Sequence, residues 1–164
     1  MLRWLTCRLA EARWGLVQQL EAELHPLRYL FWEATRRCNL ACRHCGSDCG
    51  RDEGQPGLPG PILLAALANL ASAYDAQRIM LVVTGGEPLL RVDLELVLAR
   101  AGAMGFRLGL VTNGMALEQR RAERLAAAGL DSVVVSLDGP EDCHDWLRRR
   151  PGAHGRACQA LVDL

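Results

Sequence analysis

Four of the seven cysteines lie in one short segment of the chain, TRRCNLACRHCGSDCG (35–50). Three of them, Cys38, Cys42 and Cys45, have the spacing CxxxCxxC. In a reducing compartment, cysteines clustered in this way are more often metal ligands or redox groups than disulfides. The segment therefore predicts a metal centre held by thiolates.

Two kinds of metal centre suit this pattern. A structural zinc site usually takes four ligands, often from two CxxC pairs. Only Cys42 and Cys45 form such a pair, so zinc would need Cys49 or His44 as a further ligand. Closely spaced cysteines also bind cubane iron–sulfur clusters. With three protein ligands, one iron would stay open for a substrate or cofactor, as one position does in a catalytic zinc site.

Alternating strand-like and helix-like segments must position this centre. Aromatic or apolar runs predict strands at 27–35, 78–86, 106–114 and 131–139. Segments with helical spacing of apolar residues lie between and after them, at 62–74, 91–104, 116–129 and from about residue 155 onward. This alternation predicts an α/β fold with a parallel sheet and right-handed crossovers.

Each predicted strand ends in a polar or glycine-rich stretch. The cysteine segment follows the first strand, and the other three strands end in TGGEP (84–88), TNG (112–114) and SLDG (136–139). Because the carboxyl ends of parallel strands lie on the same rim, these four stretches predict a single site. Asn-Gly and Ser or Asp residues also suit ordinary turns and helix caps, so a purely structural role stays open for the last two stretches.

The composition excludes several classes of function. Half of the residues are apolar, and 19 basic residues balance 19 acidic ones, which gives no electrostatic reason to expect nucleic acid or an anionic membrane surface as a partner. No run approaches the ~20 apolar residues of a membrane span. Charged residues interrupt the beginning of the sequence, unlike the apolar core of a secretory signal, so we expect a cytoplasmic location.

A helix is also predicted before the first strand. Leucines and alanines recur at helical spacing over residues 4–24, and His25-Pro26 ends the pattern. We therefore divide the sequence into an N-terminal helical segment (1–26) and a core domain (27–164).

The motifs together resemble those of the radical S-adenosylmethionine (radical SAM) superfamily. CNLACRHC resembles its CxxxCxxC signature, GGEPLLR resembles its GGEP motif, and TNG and SLDGPEDCHDWLR resemble its later strand-end motifs in the same order. The resemblance covers about residues 27–164 and is to the N-terminal part of SPASM-type members, which modify peptides and proteins. It implies a partial (β/α) TIM-like barrel, with about four of the expected six βα units present, so we expect a core domain truncated at its C-terminus.

The resemblance also implies roles for individual residues. Cys38, Cys42 and Cys45 would hold a 4Fe–4S cluster, whose remaining iron would bind the methionine part of S-adenosylmethionine. A further set of residues would bind that cofactor around the same rim: His44, Gly85, Gly86, Glu87, Asn113, Ser136 and Arg148. Among these, His44 would lie near the adenine and Arg148 would pair with the carboxylate.

The implied reaction is reductive cleavage of S-adenosylmethionine to methionine and a 5′-deoxyadenosyl radical, which abstracts hydrogen from a substrate. The implied partners are an electron donor such as a flavodoxin or ferredoxin and a peptide, protein or cofactor precursor as substrate. The alternative is a metal-binding module without catalysis, with either zinc or an iron–sulfur centre. In the catalytic interpretation Cys49 should not bind the cluster, because a fourth protein ligand would close the open iron.

Overall fold

The structure is a computed structural model that describes residues 11, 13–18, 20–21, 24–47, 49–50 and 57–164. Its sheet has four parallel strands, β1 (Tyr29–Thr35), β2 (Met80–Gly85), β3 (Arg107–Thr112) and β4 (Ser132–Val135). The strands lie side by side in sequence order, so β1 and β4 form the edges. The predicted α/β fold with four parallel strands is confirmed.

Helices connect the strands and cover one face of the sheet. They are α1 (Gly60–Ala73), α2 (Leu94–Ala103), α3 (Gln119–Ala127), α4 (Glu141–Arg148) and α5 (Ala153–Val162), with short 3₁₀ helices at Ala76–Arg78 and Pro88–Leu90. The prediction of a single last helix from about residue 155 was incomplete, because α4 precedes α5. Arg149, at φ 53°, and Gly152, at φ 78°, take left-handed conformations that break the chain between these two helices.

The N-terminal helix is described only in part. Residues 11, 13–18, 20–21 and 24 are helical, whereas residues 4–10, 12, 19, 22 and 23 of the predicted helix lie outside the described residues. The division at residue 26 stays a prediction. Within the described part of the chain, no helix is both long enough and apolar enough to cross a bilayer.

The core lies between the sheet and its helices. Trp32, Val83 and Leu110 are register partners across three strands, and all three are buried against the helical layer. The opposite face is open: Phe31 on β1 is 67% exposed and Val134 on β4 is 58% exposed. Alternate residues of each strand therefore point to the packed face and to the open face of the sheet.

Candidate functional site

The four strand ends meet around one cavity of about 150 Å³. Its lining comes from the loops after all four strands and from the end of α4. Most of the residues predicted for the site lie there, namely Cys38, Cys42, His44, Cys45, Gly85, Gly86, Asn113, Ser136 and Arg148, and Cys49 joins them. Glu87 is the predicted residue that does not line it. Ligand pockets usually measure about 300–1,000 Å³, so this cavity is smaller than an ordinary ligand pocket.

The cysteine loop, which we define as residues 38–50, is closed at its base. The backbone N–H of Cys38 donates to the carbonyl of Gly50 at 2.8 Å, and the N–H of Gly50 donates back to the carbonyl of Arg36 at 3.2 Å. The two ends of the loop thus pair like a continuation of the sheet, with a parallel bridge between Arg37 and Gly50. The three predicted ligands start from a fixed base at the end of β1.

The thiols of this loop perturb each other. Burial raises the pKa of the Cys38 thiol against an opposing backbone hydrogen bond from Leu40, and Glu87, Cys42 and Cys45 raise it further. Burial, followed by the proximity of Cys45, raises the pKa of Cys49 to about 11. Metal ligation takes the deprotonated thiolate and adds positive charge among these sulfurs, so a metal centre would relieve their mutual repulsion. The donor set therefore fits a thiolate-bound centre.

The arrangement differs from that of a site for one metal ion. Among the described residues, no group of three or more His, Cys, Asp or Glu side chains is placed to hold a single ion. A mononuclear zinc site requires its ligands to converge at about 2.0–2.3 Å from one point. A cubane cluster instead presents a separate iron to each cysteine, and so it suits thiols that surround a cavity without converging on one point.

Two glycines let the end of β2 approach the base of the cysteine loop. The N–H of Gly86 donates to the Thr35 carbonyl at 2.7 Å, and a Cβ added to Gly86 would lie 2.2 Å from the carbonyl oxygen of Arg37. Gly85 has φ 121°, a conformation that disfavours any other residue. Both glycines are therefore required by the packing itself, whatever ligand the cavity takes.

Glu87 lies beneath the site with its side chain fully buried. Its carboxylate accepts hydrogen bonds from the Thr112 hydroxyl at 2.8 Å, from the Asn113 N–H at 2.8 Å and from the Leu89 N–H at 3.1 Å. Burial raises the pKa of Glu87, although these three donors oppose the rise. The carboxylate thus ties the end of β2 to the end of β3.

Asn113 both forms a turn and lines the cavity. Its side-chain carbonyl accepts the Met115 N–H at 2.9 Å, as turn-forming asparagines do. Its amide donates to the Asn39 side-chain oxygen at 2.8 Å and lies 3.9 Å from the Cys38 sulfur. The TNG stretch is therefore more than a turn, because it also contacts the cysteine loop.

Helix α4 docks onto the cysteine loop from the other side. The Arg43 N–H donates to the Leu147 carbonyl at 2.8 Å, and Arg43 Nε donates to the Trp146 carbonyl at 3.0 Å. The Arg43 guanidinium also stacks over the Trp146 ring, 4.6 Å from its centroid. Carbonyls in the last turn of a helix need partners from outside the helix, and Arg43 supplies one to Leu147. The Trp146 carbonyl also accepts the Arg149 N–H at 3.3 Å, so Arg43 is its second donor. The residue between two predicted ligands thereby anchors the loop.

Asp138 is the acidic centre of the α4 side. It accepts two hydrogen bonds from Arg148, from Nε at 2.6 Å and from Nη2 at 3.1 Å. His144, which is buried, lies 3.4 Å from the same carboxylate, and His44 Nε2 lies 3.9 Å from it. Burial lowers the pKa of His144, although Asp138 opposes that effect. The SLDG stretch therefore supplies a carboxylate that holds the Arg148 guanidinium at the rim.

Sequence reasoning missed the anchoring residues. Arg43 and Trp146 are 103 positions apart, and nothing in the sequence pairs them. Arg91 stands out in the sequence only as the last residue of GGEPLLR, yet its guanidinium donates to the Ala34 carbonyl at 2.6 Å and stacks on Trp32, 4.9 Å from the ring centroid. Only their positions in the sequence could have pointed to these residues, since Arg43 lies between two cysteines and Arg91 is the last residue of GGEPLLR.

Comparison with known proteins is consistent with this geometry. The family profile described as "Radical SAM superfamily" matches residues 32–163. Among curated proteins, the chain is 30% identical over 152 residues to an AdoMet-dependent heme synthase of Oleidesulfovibrio alaskensis, a match that covers 92% of this chain and 38% of that protein. It is 37% identical to a GTP 3′,8-cyclase of Synechococcus (88% and 41% covered) and 31% identical to the mycofactocin maturase MftC of Mycobacterium ulcerans (91% and 39% covered).

Solved structures share the fold. Native anSMEcpe with bound AdoMet superposes with a TM-score of 0.68 at 20% identity, covering 84% of this chain and 40% of that one. Streptococcus suis SuiB bound to its precursor peptide SuiA superposes with a TM-score of 0.64 at 17% identity, covering 90% and 33%. The chain spans about two-fifths of the length of the curated relatives named above.

Proposed function

The chain belongs to the radical SAM superfamily, and from that premise we propose that it forms the cluster- and cofactor-binding part of a radical SAM enzyme. The superfamily uses a 4Fe–4S cluster and S-adenosylmethionine, and the predicted family and enzyme class are confirmed. The observation that carries the proposal is that the three cysteines Cys38, Cys42 and Cys45 line one cavity, whose other walls are the ends of β2, β3 and β4.

We assign Cys38, Cys42 and Cys45 as the cluster ligands. When bound, the cluster supplies the electron that splits S-adenosylmethionine into methionine and a 5′-deoxyadenosyl radical, which abstracts hydrogen from the substrate. The protein's part is to hold, orient and shield the reacting groups. The closed base of the cysteine loop fixes where the thiolates lie, and Arg43 fixes the loop against α4.

The remaining rim residues are proposed to bind S-adenosylmethionine. Gly85 and Gly86 offer backbone groups at the cavity wall, and their lack of a Cβ lets this strand end lie against the base of the cysteine loop. His44 and Ser136 contribute polar side chains to the same wall, where Arg148 also lies with two of its nitrogens held by Asp138.

Asn113, which follows β3, and Glu87, which is buried beneath the cavity, are proposed to support the cofactor site in different ways. The Asn113 amide contacts the cysteine loop and lines the cavity. The Glu87 side chain is buried beneath the cavity, so its proposed effect on the cofactor passes through the backbone of the strand ends that it holds together.

For the substrate we propose a peptide, a protein or a cofactor precursor. The similar curated proteins include a heme synthase and a mycofactocin maturase, and the similar SuiB structure holds a precursor peptide. A GTP cyclase is also similar, so small-molecule chemistry occurs among the relatives as well. The proposed electron donor is a flavodoxin or ferredoxin. The proposed compartment is the cytoplasm, where thiols stay reduced for cluster assembly.

Anaerobic reconstitution tests the proposal. The chain is loaded with iron and sulfide, reduced, mixed with S-adenosylmethionine and assayed for 5′-deoxyadenosine by mass spectrometry. We expect a brown 4Fe–4S absorbance, a change in the electron paramagnetic resonance (EPR) signal of the reduced cluster on addition of S-adenosylmethionine, and release of 5′-deoxyadenosine. The change Cys42→Ala should remove all three, whereas Cys143→Ala, at an exposed thiol on α4, should keep them.

The alternative of a non-catalytic metal-binding module makes a different prediction. If the EPR signal of the cluster does not change on addition of S-adenosylmethionine and no 5′-deoxyadenosine forms, the chain would be an electron-carrying module. Tight binding of one zinc ion per chain, with no cluster, would support a zinc module.

A further inference from the structure

Arg148 is held rigidly at the wall of the cavity. Its side chain is only 12% exposed, and two of its three nitrogens, Nε and Nη2, are bound by the Asp138 carboxylate at 2.6 and 3.1 Å. Such two-point pairing fixes the plane of a guanidinium as well as its position. Arg148 therefore cannot swing freely toward a ligand in the cavity.

The third nitrogen of Arg148 meets the cysteine loop. Nη1 lies 3.7 Å from the Cys42 sulfur, within hydrogen-bonding range for sulfur. The two residues are 106 positions apart in sequence, and Arg43 holds the loop against the same turn of α4 through the carbonyls of Trp146 and Leu147. The contact is thus fixed from both sides, by Asp138 on the arginine and by Arg43 on the loop.

A hydrogen bond to a cysteine sulfur changes the electron affinity of the cluster that the sulfur binds. One-electron reduction from [4Fe–4S]²⁺ to [4Fe–4S]⁺ adds negative charge that spreads onto the thiolate ligands, and no proton need be transferred. A donor aimed at a thiolate stabilises the reduced form more than the oxidised form and so raises the reduction potential. A positively charged donor does so more strongly than a neutral one.

We propose that Arg148 is a potential-setting residue, which donates from Nη1 to the Cys42 sulfur, raises the reduction potential of the cluster and depends on Asp138 to hold it there. The inference rests on the proposed function, since it requires Cys42 to be a cluster ligand. It differs from the role suggested by family resemblance, in which the arginine pairs with the carboxylate of S-adenosylmethionine. In this structure the paired edge of the guanidinium already faces Asp138.

The Asn113 amide provides the contrast within the same site. It lies 3.9 Å from the Cys38 sulfur, but it is neutral and also donates to the Asn39 oxygen at 2.8 Å. Of these two contacts, the one from Arg148 is the charged and shorter one. It should therefore shift the potential more than the contact from Asn113 does.

The test is an EPR-monitored redox titration of the reconstituted chain without S-adenosylmethionine. Arg148→Gln should shift the midpoint potential to lower values. Arg148→Lys keeps the charge but has a single nitrogen, which cannot pair with Asp138 and reach Cys42 together, so it should shift the potential the same way. Arg150→Gln, which removes the same charge at an exposed neighbour outside the cavity lining, is the matched control and should leave it unchanged.

A second readout follows the hydrogen bond directly. Resonance Raman bands of the Fe–S(Cys) stretch should shift between H₂O and D₂O in the natural protein, and Arg148→Gln should reduce that shift.

An unchanged midpoint potential in Arg148→Gln would overturn the inference. The same holds if Arg148→Lys has the potential of the natural chain, because the positive charge alone would then explain the effect without a hydrogen bond. If no 4Fe–4S cluster forms on the natural chain, the proposed function fails together with the inference; if the cluster forms and the potential does not move, only the inference fails.

Discussion

The buried carboxylate of Glu87 accepts a hydrogen bond from the backbone N–H of Asn113 at 2.8 Å, across 26 positions of sequence. This bond joins the loop after β2 to the loop after β3. Asn113 in turn reaches the cysteine loop through Asn39, so one buried acid connects three of the four strand ends. Glu87 thus adds a side-chain link to the backbone bonds, such as that from Gly86 to Thr35, that hold these loops together.

The change Glu87→Gln should destabilise the fold although it preserves shape. All three partners of the carboxylate are donors, and an amide has only one oxygen, so its NH₂ would face a donor such as the Asn113 N–H. Leaving such a buried group unpaired costs about 1–3 kcal/mol. Urea unfolding of the purified variant measures this loss. Glu118→Gln, at an exposed position before α3, is the control and should change the free energy of unfolding very little.

Glu87 should also give stability a distinctive pH dependence. Its pKa is raised in the folded protein above the ordinary value of 4.5, so the folded state binds a proton more readily than the unfolded state. This contribution is fully present below pH 4.5 and is lost as the pH rises through the folded pKa. The difference in unfolding free energy between the natural chain and Glu87→Gln, followed upward from pH 4.5, should therefore decrease. A difference that stays flat would show that burial does not perturb this acid.

The change Gly86→Ala should disturb the base of the cysteine loop. The new Cβ would lie 2.2 Å from the Arg37 carbonyl oxygen, which also accepts the N–H of Glu87 at 2.8 Å, so the strand ends would have to separate. We expect a loss of more than about 2 kcal/mol of stability, in the range of overpacked sites, and faster amide exchange at Cys38. Gly155→Ala, in open space on α5, should be neutral or slightly stabilising.

The strands of the sheet could be predicted from the sequence, whereas helix α4 could not. The four strand ends followed from apolar runs that stop at glycine or polar residues, and these signals are local. Helix α4 was missed because Pro140 and Arg149 bound only eight residues between them, too few for a clear helical period. The site residues could be predicted as a group because the carboxyl ends of parallel strands lie at the same edge of a sheet.

The contacts that set the site's geometry were beyond sequence reasoning. Neither the docking of Arg43 on Trp146 nor the pairing of Arg148 with Asp138 has a periodic or compositional signature. Both depend on where the end of α4 falls relative to β1, which is a property of the folded chain. Glu87 illustrates the same limit, since its motif indicated a cofactor contact and its surroundings show a buried acid beneath the cavity. Its role toward the cofactor stays a prediction.

The change Cys49→Ser should leave the cluster in place. Cys49 lines the cavity, but a fourth protein ligand would close the iron that the proposed reaction leaves open for S-adenosylmethionine. After reconstitution, iron and sulfide content and the visible absorbance of Cys49→Ser should match those of the natural chain within about 20%, whereas Cys45→Ser should lose most of both. Loss of the cluster in Cys49→Ser would identify a fourth ligand and favour the closed, non-catalytic centre.

The pairing of Cys38 and Gly50 at the base of the cysteine loop has a consequence for how a metal centre would assemble. The entropy of bringing the two ends of this loop together is lost when the sheet forms, before any iron arrives. The ligands then act at a high local concentration, so capture of the first iron raises the probability of capturing the next. Cluster loading on this chain should thus be cooperative, and it should require the folded sheet that holds the two ends of the loop together.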